Sequence, residues 1–400
     1  MEVREIEIIN EVGVRPVKNR QLVLTIIGIV VGLLFGLWLG LRLDAGSSAL
    51  DYSELDEVYA ALKDNYDGEI KDEDLINGAK RGMVDGLGDP YTQLFTEVEA
   101  QEFQESLEGE FQGIGIEFTN RNGALTIIDT LDDTPAEKAG LMAGDLIAKV
   151  DDKDTLSWLA DDATKIIRGP AGTKVKMTII RDNKLLEFDI ERATINSPSV
   201  KYEIKDGVGV LKISRFAGGD TVDLAEKAAR KFVEKKVKGV VLDLRGNGGG
   251  YVSAAADVAS LWIDSGKIVT TEKTGSRIVT QEKARGSNIL KGLKTVVLID
   301  GGSASASEIL AGALKDYKLA TVVGVDSFGK GSVQTIKSLP SSGDRLKVTI
   351  ARWYTPNDKN ITESGIAPDE KVELNVEAYR KDGSDNQLKK ALEIAKRPKK

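Results

Sequence analysis

Three short runs of almost uninterrupted apolar residues, Gly239 to Leu244, Thr295 to Ile299 and Thr321 to Val325, constrain the fold of this chain more than any other feature. A strand with one face in water alternates apolar and polar side chains, so runs without alternation need cover on both faces. That requirement predicts a parallel sheet inside an α/β domain. Val208 to Ile213 reads as a further strand, and the helical periodicity of Thr221 to Lys235 supplies a connection to Gly239. Leu346 to Trp353 alternates and predicts another strand. Each of the three runs gives way to a glycine-bearing polar segment, and those segments hold the residues suited to chemistry.

The chain has 400 residues, none of them histidine or cysteine. Thiol nucleophiles, disulfides, Ser-His-Asp triads and the usual zinc ligand sets are therefore excluded. Hydrolysis, if any, must come from Ser, Thr, Lys, Tyr, Asp or Glu. The net charge of −8, without a Lys/Arg stripe carrying interleaved aromatics, argues against nucleic acid as a partner. No metal or organic cofactor is implied.

After Ile299 comes Asp300-Gly301-Gly302-Ser303-Ala304-Ser305-Ala306-Ser307-Glu308, leading into the helical pattern ILAGAL. A strand-to-helix turn of this kind presents a serine at a helix N-terminus, where backbone N–H groups and the dipole favour a developing oxyanion. Plain capping explains the same residues: Ser303 suits an N-cap, and Ser305 with Glu308 fits the S-x-x-E capping box. Beyond Val325, Ser327-Phe328-Gly329-Lys330-Gly331 sets a lysine between glycines, a common surface loop but also the leading base for a serine in a chain without histidine. If Lys330 to Gln334 is extended, Lys330, Ser332 and Gln334 share a face, and Gln334 can hold the amine. The third segment, Asp243-Leu244-Arg245-Gly246-Asn247-Gly248-Gly249-Gly250, lets backbone N–H groups approach a substrate carbonyl. It lacks the spacing of a phosphate loop, although glycines after a strand also serve simple turning.

Upstream, Leu22 to Leu41 is an uncharged apolar stretch of about the ~20 residues that span a bilayer, longer than the ~7 to 15 of a signal-peptide core. It predicts a retained transmembrane helix. A cleaved signal is the rival reading, since small residues from Ala45 to Ser48 follow. Arg15, Lys18 and Arg20 precede the stretch, which places residues 1–21 in the cytoplasm and the remainder outside it. Gly28, Gly32, Gly36 and Gly40 recur every fourth residue, a stripe that favours close helix packing and hence a homo-oligomer, though glycine is common in membrane helices anyway. Asp51 to Leu107 reads as helical, interrupted at Gly88-Asp89-Pro90. Residues from about 110 to 193 alternate β-rich stretches with glycine turns, and their one clear helical pattern, Ser157 to Ile167, is closed by Arg168.

Taken together, LGDPYTQLF (Leu87 to Phe95), FQGIGIEF (Phe111 to Phe118), TPAEKAGLMAGDLIAKVD (Thr134 to Asp151), DLRGNGGG, GGSASASEILAGAL, SFGKGSVQT and ARWYTPNDKNITESGIAPD resemble, in order, the carboxyl-terminal-processing (tail-specific) serine peptidases with a PDZ domain. The resemblance implies Ser305 as nucleophile, Lys330 as base and Gln334 as the residue orienting it. It implies an oxyanion hole from the N–H of Ala306 and one from the glycine loop, Gly249 by position; Gly248 stands where many members carry proline. It also implies a tail-binding site at Gly113, Ile114, Gly115 and Ile116, where backbone N–H groups take a carboxylate and a strand edge pairs with the tail. The expected partners are protein substrates with exposed C-termini, outside the cytoplasm. The expected architecture is α/β and multidomain: cytoplasmic tail 1–21, transmembrane helix 22–43, helical region 44–108, PDZ domain 109–194, α/β Ser-Lys peptidase core 195–380 and basic C-terminal helix 381–400. A silent PDZ scaffold on the same architecture is the alternative, which the presence of every site residue argues against.

Overall fold

The computed structural model describes residues 29–32, 51–121, 124–131, 133–156, 158 and 160–397. The predicted membrane helix lies outside the described residues except for 29–32, which are helical and exposed; of the glycine stripe only Gly32 is described. Among the described residues no helix is long and apolar enough to cross a membrane. The chain divides into two compact units after Asn77. In the first, helix α1 (Ser53–Asn65) buries no residue, and Asp72 accepts from Lys63 at 2.9 Å and from the Tyr59 hydroxyl at 3.1 Å. Asp72, Glu73 and Asp74 open helix α2 (Asp72–Asp85), where acidic side chains suit the N-terminal end of the dipole.

The second unit begins with β1 (Gln93–Phe95) and α3 (Glu97–Glu108). Thr96 and Glu99 form a reciprocal capping box at the start of α3, and Gly109 ends it at φ 78°. Strand β2 (Glu110–Gly113) then pairs with β9 (Ala193–Asn196), a two-stranded ribbon through which the chain enters and leaves a β-rich module. Within that module lie β3 (Ile116–Arg121), β4 (Ala124–Thr130), the short helix α4 (Pro135–Ala139), β5 (Leu146–Val150), β6 (Lys153–Asp154), helix α5 (Ala160–Ile167), β7 (Lys174–Arg181) and β8 (Lys184–Glu191). The strands run in the order β3-β4-β5-β7-β8, around a core that includes Ile114, Ile127, Ile147, Met177, Ile179 and Ile167.

The main sheet is six-stranded: β10 (Val200–Lys205), β11 (Val208–Ile213), β12 (Gly239–Asp243), β15 (Lys294–Ile299), β16 (Ala320–Gly324) and β19 (Glu370–Lys371). All neighbours are parallel except β10 and β11. The reason the runs lack alternation is visible here. Val240, Leu242, Val297 and Ile299 pack on one face against α6 (Gly219–Glu234), α7 (Val252–Ala259) and α8 (Ala306–Asp316). Val241, Val296, Leu298 and Val323 pack on the other, against Ala391, Leu392, Ile394 and Ala395. The second sheet holds β1, β13 (Ile268–Thr274), β14 (Arg277–Lys283), β17 (Ser332–Ser338) and β18 (Arg345–Tyr354), with β18 bonded to β1, β13 and β17. Helix α9 (Val376–Asp382) precedes the last helix, α10 (Asn386–Ala395).

That last helix is more than a basic tail. Its lysines face outward, but its inner side supplies the whole second layer of the main sheet, and a β-carbon on Gly239 would stand 2.3 Å from the Ala395 carbonyl oxygen. Ile394→Ala, at a side chain only 4% exposed, should therefore destabilise the peptidase core by about 2–5 kcal/mol, read as a lower urea midpoint at unchanged m.

Candidate active site

The three glycine-bearing segments follow β12, β15 and β16, which are adjacent and parallel, so they converge at one end of the sheet. Carboxyl ends of parallel strands are where open α/β sheets bind ligands, because the loops there leave a crevice outside the sheet. Ser305 caps α8 with φ 55° and ψ −114°, a left-handed conformation that a non-glycine residue adopts only under constraint from its surroundings. From Ser303 to Leu314 every residue is buried except Ser305, which is half-buried. This separates the three serines of the run. The Ser303 hydroxyl donates to the Leu244 carbonyl at 2.8 Å, and that of Ser307 donates to the Asn247 carbonyl at 2.9 Å, so both stitch the turn to the glycine loop.

Glu308 is fully buried, and each of its carboxylate oxygens accepts two hydrogen bonds. Oε2 takes the N–H of Ser305 at 2.8 Å and of Lys330 at 3.1 Å; Oε1 takes the Ser327 hydroxyl at 2.6 Å and the Gly329 N–H at 2.7 Å. The expected Ser305–Glu308 capping contact is thus one strand of a larger tie, which fixes the serine turn to the lysine loop. Lys330 is half-buried, with its Nζ 5.2 Å from the centre of the Tyr91 ring. Burial, helped by the nearby Lys347 cation, pushes its amine below the ordinary lysine range, against the opposing carboxylates of Glu308 and Asp89.

Gln334 follows a register shift in the β17–β18 pairing that leaves Ile350 of β18 unpaired, and its amide nitrogen donates to Ser332 Oγ at 2.9 Å and Thr349 Oγ1 at 3.2 Å. It makes no hydrogen bond to Lys330 among the described residues, although it shares a face with Ser332 as the spacing predicts. Lys330 itself precedes the strand and is anchored through its carbonyl, which accepts from Trp353 Nε1 at 2.8 Å. The glycine loop lies against the Ser305 turn. A β-carbon on Gly249, at φ 110°, would stand 2.8 Å from Ser305 Cβ and 3.2 Å from the Ala306 nitrogen. The Ala306 N–H donates to no acceptor among the described residues, as befits the first helical position. The Gly249 N–H donates to Asn247 Oδ1 at 2.9 Å, whereas those of Gly248 and Gly250 carry no such bond. Sequence reasoning gave no role to Asn247, which is fully buried, nor to Asp89, Tyr91 and Lys347; the only signal was the motif LGDPYTQLF.

Arg245, in the same loop, is clamped between Asp243 at 2.7 Å and Asp385 at 2.8 Å, which links the glycine loop to the start of α10. Burial lowers its affinity for a proton, but hydrogen bonds to both carboxylates outweigh that and hold it charged. Away from this centre, Gly113, Ile114, Gly115 and Ile116 line a groove with Phe111, Phe118, Ile128, Ile167 and Arg168. The N–H groups of Ile114 and Gly115 donate to no backbone carbonyl among the described residues, and the Arg168 guanidinium lies 4.8 Å from the Phe111 ring centre.

Four donors converge on the Glu308 carboxylate, and an amide in its place offers fewer acceptor sites and adds donors of its own. Glu308→Gln should lower the melting temperature and reduce turnover by about 10²-fold or more through misplacement of the serine and lysine loops, measured by thermal unfolding and single-turnover cleavage.

Residues 207–372 match the model of peptidase family S41, 112–191 that of the PDZ domain, and 43–97 that of the activating protease CtpB N-terminal domain. A carboxy-terminal-processing protease of Bartonella bacilliformis is 39% identical over 324 residues, covering 79% of this chain and 74% of that one. Carboxy-terminal processing protease CtpA of Bacillus subtilis is 36% identical over 328 residues, covering 81% and 69%. The solved structure of a photosystem II D1 C-terminal processing protease, 27% identical, superposes with a TM-score of 0.52 over 85% of this chain and 92% of that one. The chain belongs to the carboxy-terminal-processing proteases of peptidase family S41 and is a serine peptidase with a PDZ domain.

Proposed function

We propose that the chain cleaves extracytoplasmic proteins near their C-termini through a Ser305–Lys330 dyad. One observation carries this reading: between Ser303 and Leu314 only Ser305 is not buried, and a single carboxylate ties its N–H to that of Lys330. The neutral Lys330 amine takes the Ser305 hydroxyl proton as Oγ attacks the scissile carbonyl. The tetrahedral oxyanion is received by the Ala306 N–H and by one N–H of the glycine loop. If Gly249 supplies it, its bond to Asn247 is exchanged for one to the oxyanion; Gly248 and Gly250 need no such exchange. The Lys330 ammonium then returns its proton to the departing amine, which leaves with the tail. Water, deprotonated by the same amine, hydrolyses the acyl-enzyme, releases the shortened protein and restores Ser305.

The groove at Gly113, Ile114, Gly115 and Ile116 is the reading's tail-binding site: two unpaired N–H groups suit a terminal carboxylate, and Ile128 and Ile167 suit an apolar side chain. Gln334 orients Lys330 only after its side chain turns from the partners it has here. The reading keeps the stretch 22–43 as a membrane anchor, with residues 1–21 cytoplasmic and the PDZ and peptidase regions outside. The glycine stripe would bring copies together there.

Ser305→Ala and Lys330→Ala should each abolish cleavage of a protein with an apolar tail while leaving the fold intact. Ser303→Ala and Ser307→Ala remove buried hydrogen bonds worth about 1 kcal/mol each and should retain activity. Because burial lowers the Lys330 proton affinity, the neutral base is populated below the ordinary lysine range, and cleavage should rise with pH through one ionisation there. Full activity in Ser305→Ala, or a flat rate from pH 6 to 9 when chemistry limits turnover, would sink the dyad.

A further inference from the structure

Alternate residues of the segment 89–95, between α2 and α3, lie beside two half-buried lysines, Lys330 ahead of β17 and Lys347 in β18. Tyr91 places its ring 5.2 Å from Lys330 Nζ. Gln93 Oε1 accepts from Lys347 Nζ at 2.6 Å, and Phe95, stacked on Phe103, puts its ring centre 5.3 Å from the same nitrogen. Asp89 acts electrostatically on both lysines. The segment is held in place by the β1–β18 pairing, Gln93 opposite Lys347, and by the Thr349 N–H donating to Thr92 Oγ1 at 3.1 Å. Thr349 also accepts from Gln334, so one short network joins the segment to the strand that follows the base.

We propose that residues 89–95 form a positioning arm of the catalytic site, gathering Lys330 and Lys347 around Asp89 so that the base is assembled only while the arm is paired with β18. The inference rests on Lys330 acting as the base. The groups that face Lys330 are Glu308 from α8, Asp89 and Tyr91 from the arm, and Lys347 from β18. Lys347 is itself driven toward the neutral form by burial, with Asp89 opposing. Burial also pushes the Asp89 carboxyl up, but hydrogen bonds from Thr349, Thr92 and the Tyr91 N–H outweigh it and keep it ionised. The arm therefore supplies Asp89, an anion that favours the Lys330 ammonium, and through Gln93 and Phe95 holds in place Lys347 of β18, a cation that disfavours it. Without the arm, Lys330 loses its aromatic cover and the Asp89 charge, and Lys347 loses the partners that fix it.

The two charges give the arm a signature that a merely structural role lacks. In the full-length protein, with kcat/KM for a tailed protein substrate followed across pH, Lys347→Met should move the apparent pKa upward, its thioether chain still packing on Phe95 and Phe103. Asp89→Asn, which keeps an acceptor for the Tyr91 N–H and turns an amide donor to the Thr92 hydroxyl, should move it downward. The double variant should fall between them. Shifts in the same direction, or an unmoved profile in both, overturn the arm if Lys330→Ala is inactive, and the dyad then stands without it. Activity in Lys330→Ala removes the dyad and the arm together.

Discussion

The buried Glu308 carboxylate is the interaction on which the rest of the catalytic centre depends. An ionised carboxylate without partners costs several kcal/mol to bury, and this one is accommodated because both oxygens have their acceptor sites filled. Three donors come from the loop after β16, the Ser327 hydroxyl and the N–H groups of Gly329 and Lys330; one comes from the Ser305 turn after β15. Neither loop can move without leaving part of the charge unpaired. The left-handed backbone at Ser305 is held against its own preference by this tie, by the Ser303 and Ser307 bonds to the glycine loop, and by the burial of every neighbour in the turn. A rigid turn with one accessible hydroxyl follows from those constraints.

The sheet beneath supplies the second condition. Because β12, β15 and β16 are neighbours and parallel, their following loops open on one side, and three motifs spread in sequence from Asp243 to Gln334 meet there. This much was legible in the sequence. Runs such as Val240-Val241-Leu242 show no alternation because successive side chains enter different cores, one under α8 and one under α10. That Gly249 in particular lies against Ser305, with no room for a larger residue, is a structural fact that a run of three glycines does not disclose.

What the sequence did not disclose are contacts whose partners lie far apart and whose residues look ordinary. The capping motif at Ser305 was recognisable, but not that Glu308 also collects Ser327, Gly329 and Lys330. Gln93 and Lys347 are 254 positions apart, and neither residue type announces the pairing. Asn247 was hidden inside a glycine run, where its amide spans from the Ile213 carbonyl to the Gly249 N–H. The β13–β14 hairpin escaped because both strands are polar-rich and lack an apolar period: β14 is mostly exposed, and β13 buries Thr270, Thr271 and Glu272. The last helix was read as a tail because its lysines mask the buried side, Ala391, Leu392 and Ala395.

The proposed use of Lys330 as base, in a chain without histidine, would couple the chemistry to the stability of the fold. A free lysine titrates near pH ~10.4 and is almost wholly protonated at neutrality, so it serves as base only where the folded protein binds that proton less tightly. The lowered proton affinity of Lys330 means that, below the ordinary lysine range, the unfolded chain holds a proton that the folded site holds less well. The residue therefore opposes folding as pH falls from that range toward its folded value, below which the cost is constant; above the ordinary range it disappears. Part of that cost remains at the pH values between the two, where the folded site holds the neutral amine. It is tolerated because the burial that imposes it belongs to the structure that offsets it: the Trp353 bond to the Lys330 carbonyl, the Glu308 tie, and a sheet packed on both faces. Relaxing the pocket would relieve the cost and would also return the lysine toward its protonated form, so the destabilisation cannot be removed without removing the base.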